Sequence, residues 1–177
     1  MHERGLFNRY KQDYLSESEG PITMIKWRGR FAAWTTNKGI KVYDVVEEKT
    51  VSIIKSENQS EKCPYRIAWS DQFHLFVAMG DVVKCCVVKK RDQSEMRGVN
   101  AELPEHKVEI ASSFQMPEFW VSGVAPFDKL LVLLTVPKEK TKDGGSQKPL
   151  LQVVEPQPEG YTEVSQDLLS IRYTLSY

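Results

Sequence analysis

The chain has 177 residues, with 24 lysines plus arginines against 24 aspartates plus glutamates, so its formal net charge is zero. That length suits one domain, and the balance excludes a generally basic nucleic-acid or anionic-membrane binder, though not a local patch. Apolar residues make up 41% and charged residues 27%, an ordinary globular composition, and the longest apolar run, Leu130–Leu134, is far short of the ~20 residues of a membrane helix.

In chain order, residues 3–18 read as the last strands of a blade whose start is missing, after an opening, Met1-His2-Glu3-Arg4, too polar for a secretory signal. Ile22–Trp27 is a short apolar run ending in tryptophan, followed by a second run, Phe31-Ala32-Ala33-Trp34. Asn37-Lys38-Gly39 is a turn signal. Gly39–Val45 then alternates, Ile40 and Val42 facing one way, Lys41 and Tyr43 the other. The pattern recurs 42 residues on: Tyr65–Trp69 matches the run ending at Trp27, His74–Ala78 the second run, and Asp81-Val82-Val83-Lys84 the strand from Gly39. A period near 42 falls within the ~40–45 residues of a four-stranded propeller blade, and the local alternation selects strands over helical repeats. Asp81–Val88 places Val83, Cys85 and Val87 on one face and Val82, Lys84, Cys86 and Val88 on the other. Ser94–Leu103 is a loop, because its helical pattern is short and holds Gly98. After Pro126-Phe127-Asp128, the run Lys129–Val136 is apolar on both faces, as for a strand covered on two sides. Lys138–Lys148 reads as a polar hairpin tip.

The fold class is therefore all-β: a WD-repeat-like β-propeller, incomplete, with about three full four-stranded blades. Residues 1–177 form a partial propeller domain with blades at about 21–56, 64–116 and 119–166, a partial blade at 3–18 and an unfinished segment at 167–177. The second blade carries an insertion at about 90–106.

Catalytic motifs are missing: there is no GxGxxG after a strand, no GxxxxGK[ST], no HExxH and no GxSxG. The histidines are His2, His74 and His106. His2 is terminal, His74 reads as a partly buried strand residue and His106 falls in the insertion. Cys63 with His74 is too thin a set for zinc, so no metal, cofactor or catalytic residue is expected. Cys85 and Cys86 are neighbours on a strand and point to opposite faces, so with Cys63 they read as reduced, buried small side chains of a reducing compartment. Asp13, Glu17 and Glu19 read as a solvated face, Lys89-Lys90-Arg91 as the charged end of a strand, and Trp27-Arg28-Gly29-Arg30 as a turn that only echoes a phosphoinositide-binding motif. Asn58-Gln59-Ser60 has the form of a glycosylation sequon. Tyr43-Asp44 occupies the place of the Trp-Asp pair that ends the third strand of a WD-repeat blade. The four tryptophans Trp27, Trp34, Trp69 and Trp120 are expected to be mostly buried between blades.

Composition and motifs stop at a repeated all-β chain. Ile25–Gly29, Ala33-Trp34, Asn37–Asp44, Ser94–Arg97, Val108–Ile110, Phe119–Pro126 and Asp167–Arg172, in that order, resemble the vacuolar protein sorting-associated protein 41 family. The likeness runs from about residue 5 to residue 172. It implies a subunit of the HOPS tethering complex, whose members look like an N-terminal WD-repeat propeller followed by an α-solenoid and a RING-type zinc domain. This chain matches only propeller sequence, and it departs from the family after Arg172, as a truncated product would.

The function implied is a non-enzymatic protein-interaction module in vesicle-mediated protein transport and fusion. The implied location is the cytoplasm, peripheral on late endosome, lysosome or vacuole membranes. The implied partners are other HOPS subunits, small GTPases of the Rab or Arf-like families and a clathrin-associated adaptor complex, with no nucleic acid. No partner-binding residue follows from the resemblance. The alternatives are a generic scaffold propeller outside trafficking and a propeller enzyme with a channel active site. The enzyme would need carboxylates or histidines on several inner strands, where Met24, Lys26, Ile67, Trp69, Val121 and Val124 stand instead. Three and a fraction blades would leave two faces bare, including Leu6–Tyr10 and Tyr161–Val164.

Overall fold

The structure, a computed structural model, describes residues 20–55, 64–96, 102–138 and 148–168. The proposed partial blade at 3–18, Cys63, the sequon, the 139–147 tip and residues 169–177 lie outside the described residues.

Twelve strands form three four-stranded antiparallel sheets, each strand paired with its neighbours in sequence. Sheet A holds β1 (Met24–Arg28), β2 (Phe31–Thr36), β3 (Gly39–Asp44) and β4 (Lys49–Ile54). Sheet B holds β5 (Arg66–Trp69), β6 (His74–Met79), β7 (Val82–Lys90) and β8 (His106–Gln115), and sheet C holds β9 (Phe119–Phe127), β10 (Leu130–Pro137), β11 (Leu150–Gln157) and β12 (Gly160–Leu168). No helix occurs among the described residues, and Gln93–Met96 is a turn. The sheets are blades of a β-propeller, stacked face to face in the order A, B, C.

Local chemistry sets the hairpins. Thr36 pairs with Gly39 across Asn37-Lys38, and Gly39 takes φ +136°, where a Cβ would come within 2.5 Å of the Ile54 carbonyl oxygen. Only glycine meets both demands. Alternation then sorts the side chains. Phe31, Ala33, Ile40 and Val42 of sheet A meet Ile67, Leu75, Val77 and Val88 of sheet B in one core. Ala78, Val83 and Phe114 of sheet B meet Val121, Leu131, Leu133 and Val154 of sheet C in a second. Burial of such side chains, at roughly 25 cal/mol per Å² of apolar surface, is what holds blade to blade.

Bulges break the alternation within strands. Along β8, Ile110 pairs with Cys86 and Ser112 with Cys85, so Ala111 is an extra residue. The extra residue reverses which side the following side chains take. Val108 thereby packs into the A–B core and Phe114 into the B–C core, although both are even-numbered positions of one strand. A second bulge, at Ser122 of β9, lets Val121 and Val124 share a face. Cys85 packs toward sheet C and Cys86 toward sheet A, as adjacent strand residues must.

Two expectations about faces hold only in part. Trp34 is buried, and Trp69 and Trp120 are half-buried, but Trp27 is 67% exposed. Trp27 lies with Ile25 on the side of β1 turned away from sheet B, where none of the other described sheets packs. Its indole Nε1–H donates to the Gly29 carbonyl at 2.8 Å, within its own hairpin. Of the run Tyr161–Val164, Tyr161 packs its ring on Phe114, centroids 4.9 Å apart, inside the B–C contact, whereas Val164 is 55% exposed as expected.

Candidate functional site

Two places in the fold gather polar chemistry between blades. The first lies where the inner strands β1, β5 and β9 converge. They line a cleft of about 410 Å³. Met24, Lys26, Ile67 and Val124 reach it as the sequence places them on inner strands. Trp69 and Val121 do not: Trp69 stacks near Phe31, 6.4 Å between centroids, and Val121 is in the B–C core. The lining carries two cations, Lys26 and Arg66, and neither a carboxylate nor a histidine. Arg66 Nε–H donates to the Ser122 carbonyl at 2.8 Å, which ties sheet B to sheet C. Among the described residues the polar side chains of this lining are therefore the two cations and Ser122.

The second place is the A–B rim, built on the Tyr43-Asp44 pair at the end of β3. Asp44 is fully buried. Its Oδ1 accepts the backbone N–H groups of Val46 (3.0 Å) and Glu47 (3.3 Å), which folds the chain into the β3–β4 turn. Arg30, the second residue of the β1–β2 turn, grips the same carboxylate with a fork: Nε–H to Oδ1 at 3.1 Å and Nη2–H to Oδ2 at 2.6 Å. Burial opposes the charge on Asp44, but the Arg30 fork and the two backbone bonds outweigh it and hold the carboxyl below its ordinary value. The guanidinium is raised in turn, chiefly by its hydrogen bond to Asp44.

Blade B closes over this turn. Glu47 Oε1 lies 3.2 Å from Arg30 Nη2, and Glu47 Oε2 accepts the Glu105 N–H at 3.0 Å. Lys49 Nζ donates to the Glu102 carbonyl at 3.2 Å. His106 is the first residue of β8, not part of the insertion, and is 7% exposed. Its ring meets Phe31 edge-on, centroids 5.1 Å apart. His106 Nδ1 stands 3.5 Å from Asp44 Oδ2, 3.6 Å from Glu47 Oε1 and 4.0 Å from Glu105 Oε2, too far for a hydrogen bond to any of them. Ligand atoms of Asp44, Glu47 and His106 all lie within 4.8 Å of one another.

The other residues singled out in the sequence are scattered. His74 is exposed, not partly buried, because its ring Nδ1 turns out to Asp71 at 2.8 Å, in a loop-end pair. Lys89 pairs with Glu109 and Lys90 with Glu105, while Arg91 Nε–H donates to the Pro104 carbonyl, as charged residues at a strand end do. Cys86 is buried and its thiol is pushed up to about 12 by desolvation, so it is chemically inert at neutral pH. The sequence gives no signal for the rim cluster beyond Tyr43-Asp44, because Asp44 and His106 are 62 positions apart and meet only through blade stacking.

The family model Beta-prop_Vps41, described as "Vps42 beta-propeller", matches residues 1–177. The chain belongs to the Vps41 β-propeller family. Relatives named vacuolar protein sorting-associated protein 41 homolog are 38% identical in Danio rerio and in Mus musculus, each over 97% of this chain and 20% of that protein. An Arabidopsis thaliana homolog is 30% identical over 81% of the chain and 16% of its own length. The chain thus spans about a fifth of the length of the animal relatives. Among solved structures, a chain of a yeast assembly of Dbp5 bound to Nup159, Gle1, IP6 and ADP superposes with a TM-score of 0.53 at 10% identity, covering 85% of this chain and 38% of that one. At that identity the likeness concerns the fold alone. The family's β-propeller description agrees with the three stacked sheets, and no described helix is long and apolar enough to cross a membrane.

Proposed function

We propose that the chain supplies blades, at about 21–56, 64–116 and 119–166, to the propeller of a HOPS-type tethering subunit, acting as a non-enzymatic interaction module in vesicle delivery to late endosomes, lysosomes or vacuoles. One observation carries the reading: 38% identity to vacuolar protein sorting homologs across nearly the whole chain. Rigid sheets with loops at their ends are a scaffold on which binding is built by loop residues. The partners in this reading are the other tethering subunits, Rab or Arf-like GTPases and a clathrin-associated adaptor complex, and attachment to membranes is peripheral, through those partners.

The experiment is a chimera. In mouse cells lacking the Vps41 homolog, the homolog is re-expressed with its matching segment replaced by this chain. Restored delivery of lysosomal cargo and recovery of the other tethering subunits with the chimera are the expected results. A chimera that is expressed at the level of the parent yet recovers neither overturns the proposal.

A further inference from the structure

We propose that the A–B rim is a binding site for a zinc-type divalent transition-metal ion, ligated by Asp44, Glu47 and His106, with the ion taking the place that Arg30 Nη2 holds in this structure. The argument begins with His106. Its Nδ1 is shut off from solvent and makes no hydrogen bond. Its side chain is only 9% exposed and is aimed at three carboxylates. If Nδ1 carries a proton, that proton reaches no acceptor at bonding distance. If it carries a lone pair, the lone pair faces carboxylate oxygens. Either arrangement leaves a buried polar atom unsatisfied, which costs stability. A metal ion satisfies it.

The spacing fits. Zinc binds imidazole nitrogen and carboxylate oxygen at about 2.0–2.2 Å, so tetrahedral ligands lie about 3.4 Å apart. His106 Nδ1 is 3.5 Å from Asp44 Oδ2 and 3.6 Å from Glu47 Oε1. Glu105 Oε2, 4.0 Å from the same nitrogen, stands where a fourth ligand or its water would be. An imidazole with carboxylates is a donor set for zinc and its neighbours, not for calcium or magnesium, which take oxygen.

Charge fits as well. Asp44, Glu47 and Glu105 face two cations, Arg30 and Lys90, which leaves the cluster one negative charge in excess. Exchange of the guanidinium for a divalent ion brings the cluster to neutrality. Arg30 is able to leave: it follows the turn glycine Gly29 and its side chain is 28% exposed. The ion would join Asp44 and Glu47 of blade A to His106 of blade B and so lock the two blades together.

Cobalt(II) is the probe, because tetrahedral Co(II) with nitrogen and oxygen ligands absorbs in the visible while unbound Co(II) barely does. Titration of the 177-residue chain is expected to give one saturable visible spectrum per chain, displaced by Zn(II), with a rise in Tm on Zn(II) addition that a chelator reverses. His106→Gln and Glu47→Gln should each weaken binding about tenfold or more, and His74→Gln, the control histidine, should leave it unchanged. Should His106→Gln fail to fold, Glu47→Gln decides alone, since Glu47 is partly exposed. No visible spectrum and no Zn(II)-dependent Tm shift in the unaltered chain would overturn the proposal. So would a spectrum that survives Glu47→Gln or a folded His106→Gln unchanged, because the ion would then sit elsewhere.

Discussion

Trp27 and Trp34 are cross-sheet neighbours on one face of sheet A and have opposite fates. Trp34 is buried against Tyr43, centroids 5.9 Å apart, with Lys41 Nζ 5.2 Å above its ring. Trp27 spends its N–H within its own hairpin and leaves most of its ring in water. Trp34→Ala should therefore cost about 3–5 kcal/mol, and Trp27→Ala less than about 1 kcal/mol, as read by urea unfolding of each variant. Equal losses would mean that Trp27 is covered in solution. Gly39 is the other residue whose identity is forced. Gly39→Ala must place a methyl group against the backbone oxygen of Ile54 at a positive φ, and neither can yield cheaply. A loss of about 2 kcal/mol or more is expected in the same assay; a neutral result would show that the β2–β3 hairpin has another accessible turn geometry.

Between elements, the seam of sheets B and C rests on the turn Gly80-Asp81. Its carbonyls accept the N–H groups of Val121 and Met116, both at 2.8 Å. The Asp81 side chain accepts from Gln115 and from Lys138, whose ammonium also sits 4.6 Å over the Trp120 ring. Burial raises the Asp81 carboxyl, but Lys138 and Gln115 pull it further down, so its net value lies below the ordinary 3.8. A carboxyl depressed in the folded state stabilises fully above its unfolded value, and that contribution is lost as pH falls through the folded value. Asp81→Asn is thus expected to lower stability by about 1 kcal/mol at pH 7. Thermal melts of the two proteins should keep their gap from pH 7 down to about pH 4 and begin to converge only as pH falls below it toward pH 3. A gap of constant size across that range would assign the effect to shape and not to charge.

For the molecule as a whole, the decisive feature is the outer face of sheet C. The side of β10 and β11 turned away from sheet B presents Val132, Leu134, Val136, Leu151 and Val153, all half-buried, with Phe127 69% exposed at one end. None of the other described sheets packs on it. An apolar sheet face of this kind seeks a partner. The 177-residue chain in isolation should therefore run as an oligomer in size-exclusion chromatography. Val132→Glu, which sets a charge in the middle of the face, should shift it toward monomer without unfolding it. A monomer that needs no such change would mean that the face is covered in solution.

Pairing within a blade was legible in the sequence because it is local. Turn residues such as Asn37-Lys38-Gly39 and strict alternation over Gly39–Val45 fix which strand follows which, and a spacing of 42 residues marks the repeat. The reduced, opposed pair Cys85 and Cys86 followed from the same alternation. The covering of each face was not legible, for two physical reasons. A bulge shifts the face of every later residue by one, so the run His106, Val108, Ile110, Ser112, Phe114 reads as a single stripe and yet is divided at Ala111 between two cores. Burial also depends on what stacks above a sheet, a contact between residues far apart in the chain, which no periodicity records. The sequence alone determined the strands, their order and the family. Blade stacking alone brought His106 to Asp44 and left Trp27 in water.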